Sequence, residues 1–211
     1  MNKAHWEKLP QDQAVSVMRT IGDAADSAVF SLQMTEVTCR KLPFYKQYQH
    51  FRLTNYATMP CFKMDYLGDP ETGQFFPLNG LANTLYDVND NDQVELDANT
   101  VVDYIDFFFA QVQGPDGDIY LIKSPDALPM LPSLPQNQQD SVREHFQNMK
   151  VDSTDNGFVI AATLYYGGTM IAADISVKKT GQISVGNQRL LLRGIHFPTS
   201  PVDYTYMDDE T

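Results

Sequence analysis

The residues able to do chemistry are few, and they are scattered. The four histidines are His5, His50, His145 and His196. None pairs with another at the HxH, HxxH or HxxxH spacing that would put two imidazoles on one strand or helix face, so no metal site is expected. Glu144 and His145 are adjacent and point in different directions on a helix, so they form no dyad. Cys39 and Cys61 are the only cysteines, too few and too far apart for a zinc knuckle or a CxxC redox pair. The first residues, MNKAHWEKLPQDQ, carry no apolar run after Lys3. That predicts no signal peptide, a cytoplasmic location and two reduced, core-facing thiols. Cys61 and His50 are near in sequence, but a nucleophile and its base are defined by geometry. There is no GxSxG elbow, no P-loop and no GxGxxG. Gly167–Gly168–Thr169 lacks the following helix that a phosphate cradle needs. No cofactor is expected.

Asp87 to Ala98 partly matches a calcium loop. Asp87, Asn89 and Asn91 fit the first oxygen positions and Val94 fits the apolar eighth. Asp92 stands where the sharp turn needs Gly, and Ala98 stands where a bidentate Glu is needed. The stretch is read as a solvated acidic turn.

The segment 44–63 is the one place where aromatic rings and cations interleave: Phe44, Tyr45, Tyr48, Phe51, Tyr56 and Phe62 among Lys46, Arg52 and Lys63. Single-stranded nucleic acid is bound by such mixtures, and half-buried strands also look like this. The net charge of −12 repels phosphate backbones, which favours the ordinary strand. His50, Arg52, Lys46 and Tyr48 are the ligand-binding candidates. Charge is unevenly spread along the chain. Residues 37–64 hold five bases and no acid, and residues 65–118 hold twelve acids and no Lys or Arg. Two readings follow: the windows fold against each other and neutralise, or one of them is a patch for a ligand or partner of opposite charge.

The elements that must position these residues are legible from periodicity. After Pro10, residues Ala14, Val17, Met18, Ile21, Ala24, Ala25 and Ala28 recur at helical spacing. Phe30, Leu32 and Met34 then alternate, predicting a strand over 29–39, with continued helix as the competing reading. Residues 44–56 and 59–67 read as two strands, and most of 77–97 reads as loop. Thr100 to Asp103 has a capping-box form, with Asp97 as the alternative cap. Val101, Ile105, Phe108 and Val112 give the following helix a buried face. Residues 119–123 return as a strand. Four prolines in 125–135 predict a surface crossing or linker, and a short helix over 136–149 follows. Alternation in 158–166, 171–177, 183–185 and 190–195, with turns at Gly167–Gly168, Thr180–Gly181 and Gly186–Asn187, predicts a four-stranded antiparallel meander. No stretch approaches the 18 apolar residues of a membrane span.

Three stretches, FFPLNG at 75–80, DYIDFFFAQVQGPDGDIYLI at 103–122 and ATLYYGGTMIAADISVKKTGQISV at 162–185, together resemble a family of uncharacterised bacterial proteins, over roughly residues 75–185. The shared motifs are turns and apolar faces. The resemblance therefore implies a fold and carries no activity.

The expected fold is α+β, with antiparallel sheets and packed helices, and two similar helix-plus-sheet subdomains as one arrangement of it. The units would be 1–124, 136–198 and a frayed acidic tail at 199–211, or one compact domain. The expected function is non-enzymatic binding of another protein, or self-association. A hydrolase with a dispersed site and a small-ligand binder are the alternatives.

Overall fold

A computed structural model describes residues 5–22, 30–91, 94–115, 117–128 and 131–195. Strands β1 (Glu7–Lys8), β2 (Thr35–Lys41), β3 (Gln49–Asn55), β4 (Phe62–Asp69) and β5 (Gln74–Pro77) form an antiparallel sheet in chain order. Helix α1 (Gln11–Gly22) covers one face. Its buried side chains Ala14, Val17, Met18 and Ile21 pack on Val37, Cys39, Phe51, Leu53 and Tyr66. The strand expected over 29–39 starts only at Thr35. A turn precedes it, closed by the Met34 amide donating to the Ser31 carbonyl over 3.1 Å. Leu32 and Met34 alternate but face solvent, so their periodicity had no buried face to report. Residues 23–29 lie outside the described residues.

The opposite face of this sheet meets helices α2 (Ala82–Asn91) and α3 (Thr100–Gln111). Helix α2 occupies a stretch read as loop, and Asp87, Asn89 and Asn91 sit on it rather than in an acidic turn. Its Asn- and Asp-rich composition is poor for a helix. Complete burial of Leu85 and Val88 under the neighbouring core overrides that preference. On α3, Val101, Tyr104, Ile105, Phe107, Phe108 and Phe109 are buried. Thr100 and Asp103 do not form the capping box. Instead Asp97 Oδ1 accepts from the amides of Asn99 and Thr100, at 2.7 and 2.8 Å.

Beyond α3, β6 (Gln113–Gly114) and β7 (Gly117–Asp118) form a small hairpin. A second antiparallel sheet follows, built from β8 (Tyr120–Ile122), β9 (Lys150–Thr154), β10 (Gly157–Tyr166), β11 (Thr169–Lys178) and β12 (Ile183–Arg193). The C-terminal meander is four-stranded, and its strands are β9 to β12. Gly186–Asn187 is no turn. Asn187 has φ 47°, and β12 keeps its pairing with β11 on both sides of it, Val185 opposite Ile175 and Arg189 opposite Ala172. The extra residue is absorbed as a bulge, which Asn187 Nδ2 fixes to Asp174 Oδ2 at 2.7 Å. The stretch 190–195, expected as a fourth strand, is therefore the continuation of the third, and the missing member is β9.

Leu121, Phe158, Ile160, Leu164, Ile175 and Val177 face α3. The other face of the second sheet is covered by α4 (Gln136–His145) and by the proline-rich segment. That segment is not a surface linker. Leu128, Leu131 and Leu134 are buried beside Val142, Tyr165 and Met170, and short 3-10 turns at Pro125–Ala127 and Leu131–Ser133 let them point inward. The helix expected to reach 149 ends at His145. The layers thus run α1, first sheet, α2 with α3, second sheet, α4. The tail at 199–211 lies outside the described residues. No helix among the described residues is long and apolar enough to cross a membrane.

Candidate functional site

Side chains alternate across a strand. The register therefore decides which residues of the first sheet look away from α1. Arg40 pairs with His50 and His50 with Leu67, while Thr38 pairs with Arg52 and Arg52 with Asp65. Leu67 lies under α3, and the neighbouring Arg40, His50, Arg52 and Asp65 form a polar network at the margin of that helix. Arg40 Nε donates to His50 Nδ1 over 3.0 Å. Arg52 grips Asp65 through Nε and Nη2, both at 2.7 Å. His50 Nε2 stands 3.2 Å from Asp65 Oδ2, in ion-pair range but without hydrogen-bond alignment. Trp6, just before β1, stacks against both arginines. The Cζ atoms of Arg40 and Arg52 are each 4.8 Å from its ring centroid. Phe107 of α3 closes the far side, with its ring centroid 5.2 Å from His50 and 5.9 Å from Arg40 Cζ.

The electrostatics follow from this geometry. His50 is wholly buried. Burial holds its pKa below the ordinary value, and the Asp65 carboxylate only partly offsets this. Accepting from Arg40 requires an unprotonated Nδ1, so His50 is the neutral tautomer with its proton on Nε2. Burial would raise the Asp65 carboxyl, but the Arg52 fork and His50 outweigh it and hold that carboxyl well below the usual carboxylate range. Arg40 is half-buried, and desolvation together with the Arg52 charge lowers its pKa. The arrangement presents fixed positive charge rather than an acid–base pair.

Of the four sequence candidates, the fold brings together His50 and Arg52 and separates the other two. Lys46 forms an exposed ion pair with Glu95. Tyr48 is buried, and its hydroxyl donates to Gln74 Oε1 at 2.7 Å. Both line a cavity of about 430 Å³ with Asp69 and Glu71, at the Gln49 end of β3. Phe44, Tyr45 and Phe51 are also buried, so the aromatic run of 44–63 offers only Tyr56 and Phe62 to solvent. Trp6, Arg40 and Asp65 escaped the sequence reading, because only the strand register places them beside His50. Among the described residues no group of three or more His, Cys, Asp or Glu is placed to hold a metal ion. Cys39 is buried against α1 and Cys61 is half-buried; both are free. His145 is exposed on α4, with Nδ1 2.8 Å from the Ser141 carbonyl. His196 lies outside the described residues. The basic and acidic windows meet through Arg52–Asp65 and Lys46–Glu95.

A second feature sits at one end of the same sheet. Seven large apolar side chains are exposed among the described residues, and five of them, Leu32, Met34, Tyr56, Met59 and Phe62, come from the two segments that meet there. The Tyr56 amide donates to the Met34 carbonyl at 2.9 Å, and Phe62 lies 5.7 Å from Phe30, centroid to centroid. Met59 is 96% exposed. The strand expected to open at Met59 starts only at Phe62, and nothing in the sequence told that the apolar residues ahead of it would face water. No family model, curated protein or solved structure matches this chain.

Proposed function

We propose that this protein works by binding another protein, without catalysing a reaction, and that the contact is made by the apolar end of the first sheet. The observation that carries this reading is the concentration of exposed apolar side chains there: Leu32, Met34, Tyr56, Met59 and Phe62. Isolated exposed apolar residues are ordinary, whereas a contiguous group marks an interaction surface. The composition suits the role, since aromatic residues and methionine are enriched at interface centres. Lys8 paired with Glu36 at 2.6 Å borders the patch, giving it the polar rim that such surfaces have.

The test compares wild-type protein with a Met59→Glu, Phe62→Ser variant, both checked for folding by circular dichroism. Immobilised wild type should retain a partner that the variant loses, and the complex should re-form from the two purified proteins. Sedimentation of wild type alone separates a second copy of this chain from a different partner. Equal retention by the folded variant, or monomeric wild type with no partner that re-forms a complex, overturns the reading.

A further inference from the structure

We propose that Arg40, held in place by Trp6, His50 and Phe107, is a binding site for an oxyanion: a phosphate or carboxylate group, free or carried on a larger molecule.

The case begins with what Arg40 does with its donors. Its Nε is engaged by His50. Among the described residues, neither Nη group has a hydrogen-bond or ion-pair partner, because the neighbouring acids are already taken. Asp65 is gripped by both prongs of Arg52. Asp106, on the α3 side, accepts from Lys123 Nζ at 2.7 Å. Counting Arg40, Arg52 and Lys123 against Asp65 and Asp106 leaves one positive charge in excess, in a chain whose total is −12.

The guanidinium is also preorganised. It lies against the Trp6 ring and beside Phe107, and its Nε bond to a fully buried imidazole prevents rotation about its long axis. A stacked, anchored fork with a free Nη edge is the geometry that binds a carboxylate or phosphate in bidentate fashion, with little further loss of side-chain freedom. Arg52 stacks on the same indole, so two like charges are held close together, and their repulsion is felt at Arg40. An anion on the Nη edge relieves that repulsion. The acidic remainder of the chain opposes binding at long range, so affinity should be set by the local fork and should weaken with salt.

The site lies on the α3-facing side of the sheet, and the inference does not rest on the protein-binding reading. Met59→Glu should leave it intact.

Trp6 is the only tryptophan, so its fluorescence reports the site directly. Wild type is titrated with inorganic phosphate, and in a second arm with acetate, at constant ionic strength maintained with chloride. The expected result is a saturable change in Trp6 emission and a rise in melting temperature, in the phosphate arm, the acetate arm or both. The arm that responds identifies the group. Arg40→Gln should abolish both signals, and Arg40→Lys, which keeps the charge and loses the fork, should weaken binding about tenfold. If Arg40→Gln fails to fold, the lysine variant carries the test. No saturable response in either arm of the wild type overturns the proposal, as does a folded Arg40→Gln or Arg40→Lys protein that binds as tightly as wild type.

Discussion

The side-chain amide of Asn89 donates to the Tyr104 hydroxyl over 2.9 Å, and that hydroxyl donates onward to the Gly181 carbonyl at 2.7 Å. The Tyr45 hydroxyl donates to Asn89 Oδ1 at 2.6 Å. One buried amide thus ties together the loop before β3, helices α2 and α3, and the turn between β11 and β12. Fully satisfied buried networks specify one arrangement of elements, and a half-satisfied one is costly. Asn89→Ala removes the buried acceptor of the Tyr45 hydroxyl and a donor to Tyr104. It should lower stability by about 2 kcal/mol, read as a reduced urea midpoint.

Gly181 completes that junction and admits no side chain. Its φ is +79°, and a Cβ there would collide with Asn89 Nδ2 and stand 2.6 Å from the Tyr104 hydroxyl. Gly181→Ala therefore combines backbone strain with a clash against packed atoms. It should destabilise by more than about 1 kcal/mol. Gly186 is the control, because a Cβ there would meet nothing within 4 Å. Gly186→Ala should change the thermal midpoint far less.

Acidification should destabilise the fold in two stages. The His50 imidazole is lowered from its ordinary 6.5 by burial, so the folded chain binds that proton less readily than the unfolded chain. Its contribution to stability is complete above pH 6.5 and is lost as pH falls toward the depressed folded value. Protonation would also put a hydrogen on Nδ1, facing the Arg40 Nε–H. Asp65 is lowered from 3.8 by Arg52 and His50, against the opposing effect of burial. Its contribution is complete above that value and is lost as pH falls through the folded pKa. Unfolding free energy measured from pH 8 to about 2 should show the first slope and the onset of the second. His50→Gln should flatten the first, and Asp65→Asn should flatten the second.

Folding and binding surfaces should separate cleanly on mutation. Leu85→Ala removes a wholly buried side chain from α2 and should cost about 2–5 kcal/mol. Met59→Ser changes a side chain that is almost entirely in water. It should leave stability within about 0.5 kcal/mol of wild type. Denaturant titration of both variants checks the pair of expectations.

Periodicity along the chain was enough for the elements whose faces are one-sided. Helix α1 is announced by Ala14, Val17, Met18 and Ile21, and all four are buried. The strands β10 and β11 are announced by Ile160, Ala162 and Leu164 and by Ala173, Ile175 and Val177, which are buried on a common face. The Gly167–Gly168 hairpin turn is announced by two residues that tolerate positive φ, which they adopt at 55° and 77°. In these segments local period and final burial agree, so neighbours along the chain carry the information. Packing between distant segments set the rest. Helix α2 exists because Leu85, Val88 and Asn89 find partners far away in sequence, and its local composition argued against it. Leu128, Leu131 and Leu134 are core because the second sheet offers them a face, although four nearby prolines suggested a linker. His50 and Arg52 were visible as isolated candidates. Their joining with Trp6, Arg40 and Asp65 depends on strand register, which sets neighbours by pairing across the sheet. Lys46 and Tyr48, a few residues away along the chain, were parted from them because they precede β3, outside that register.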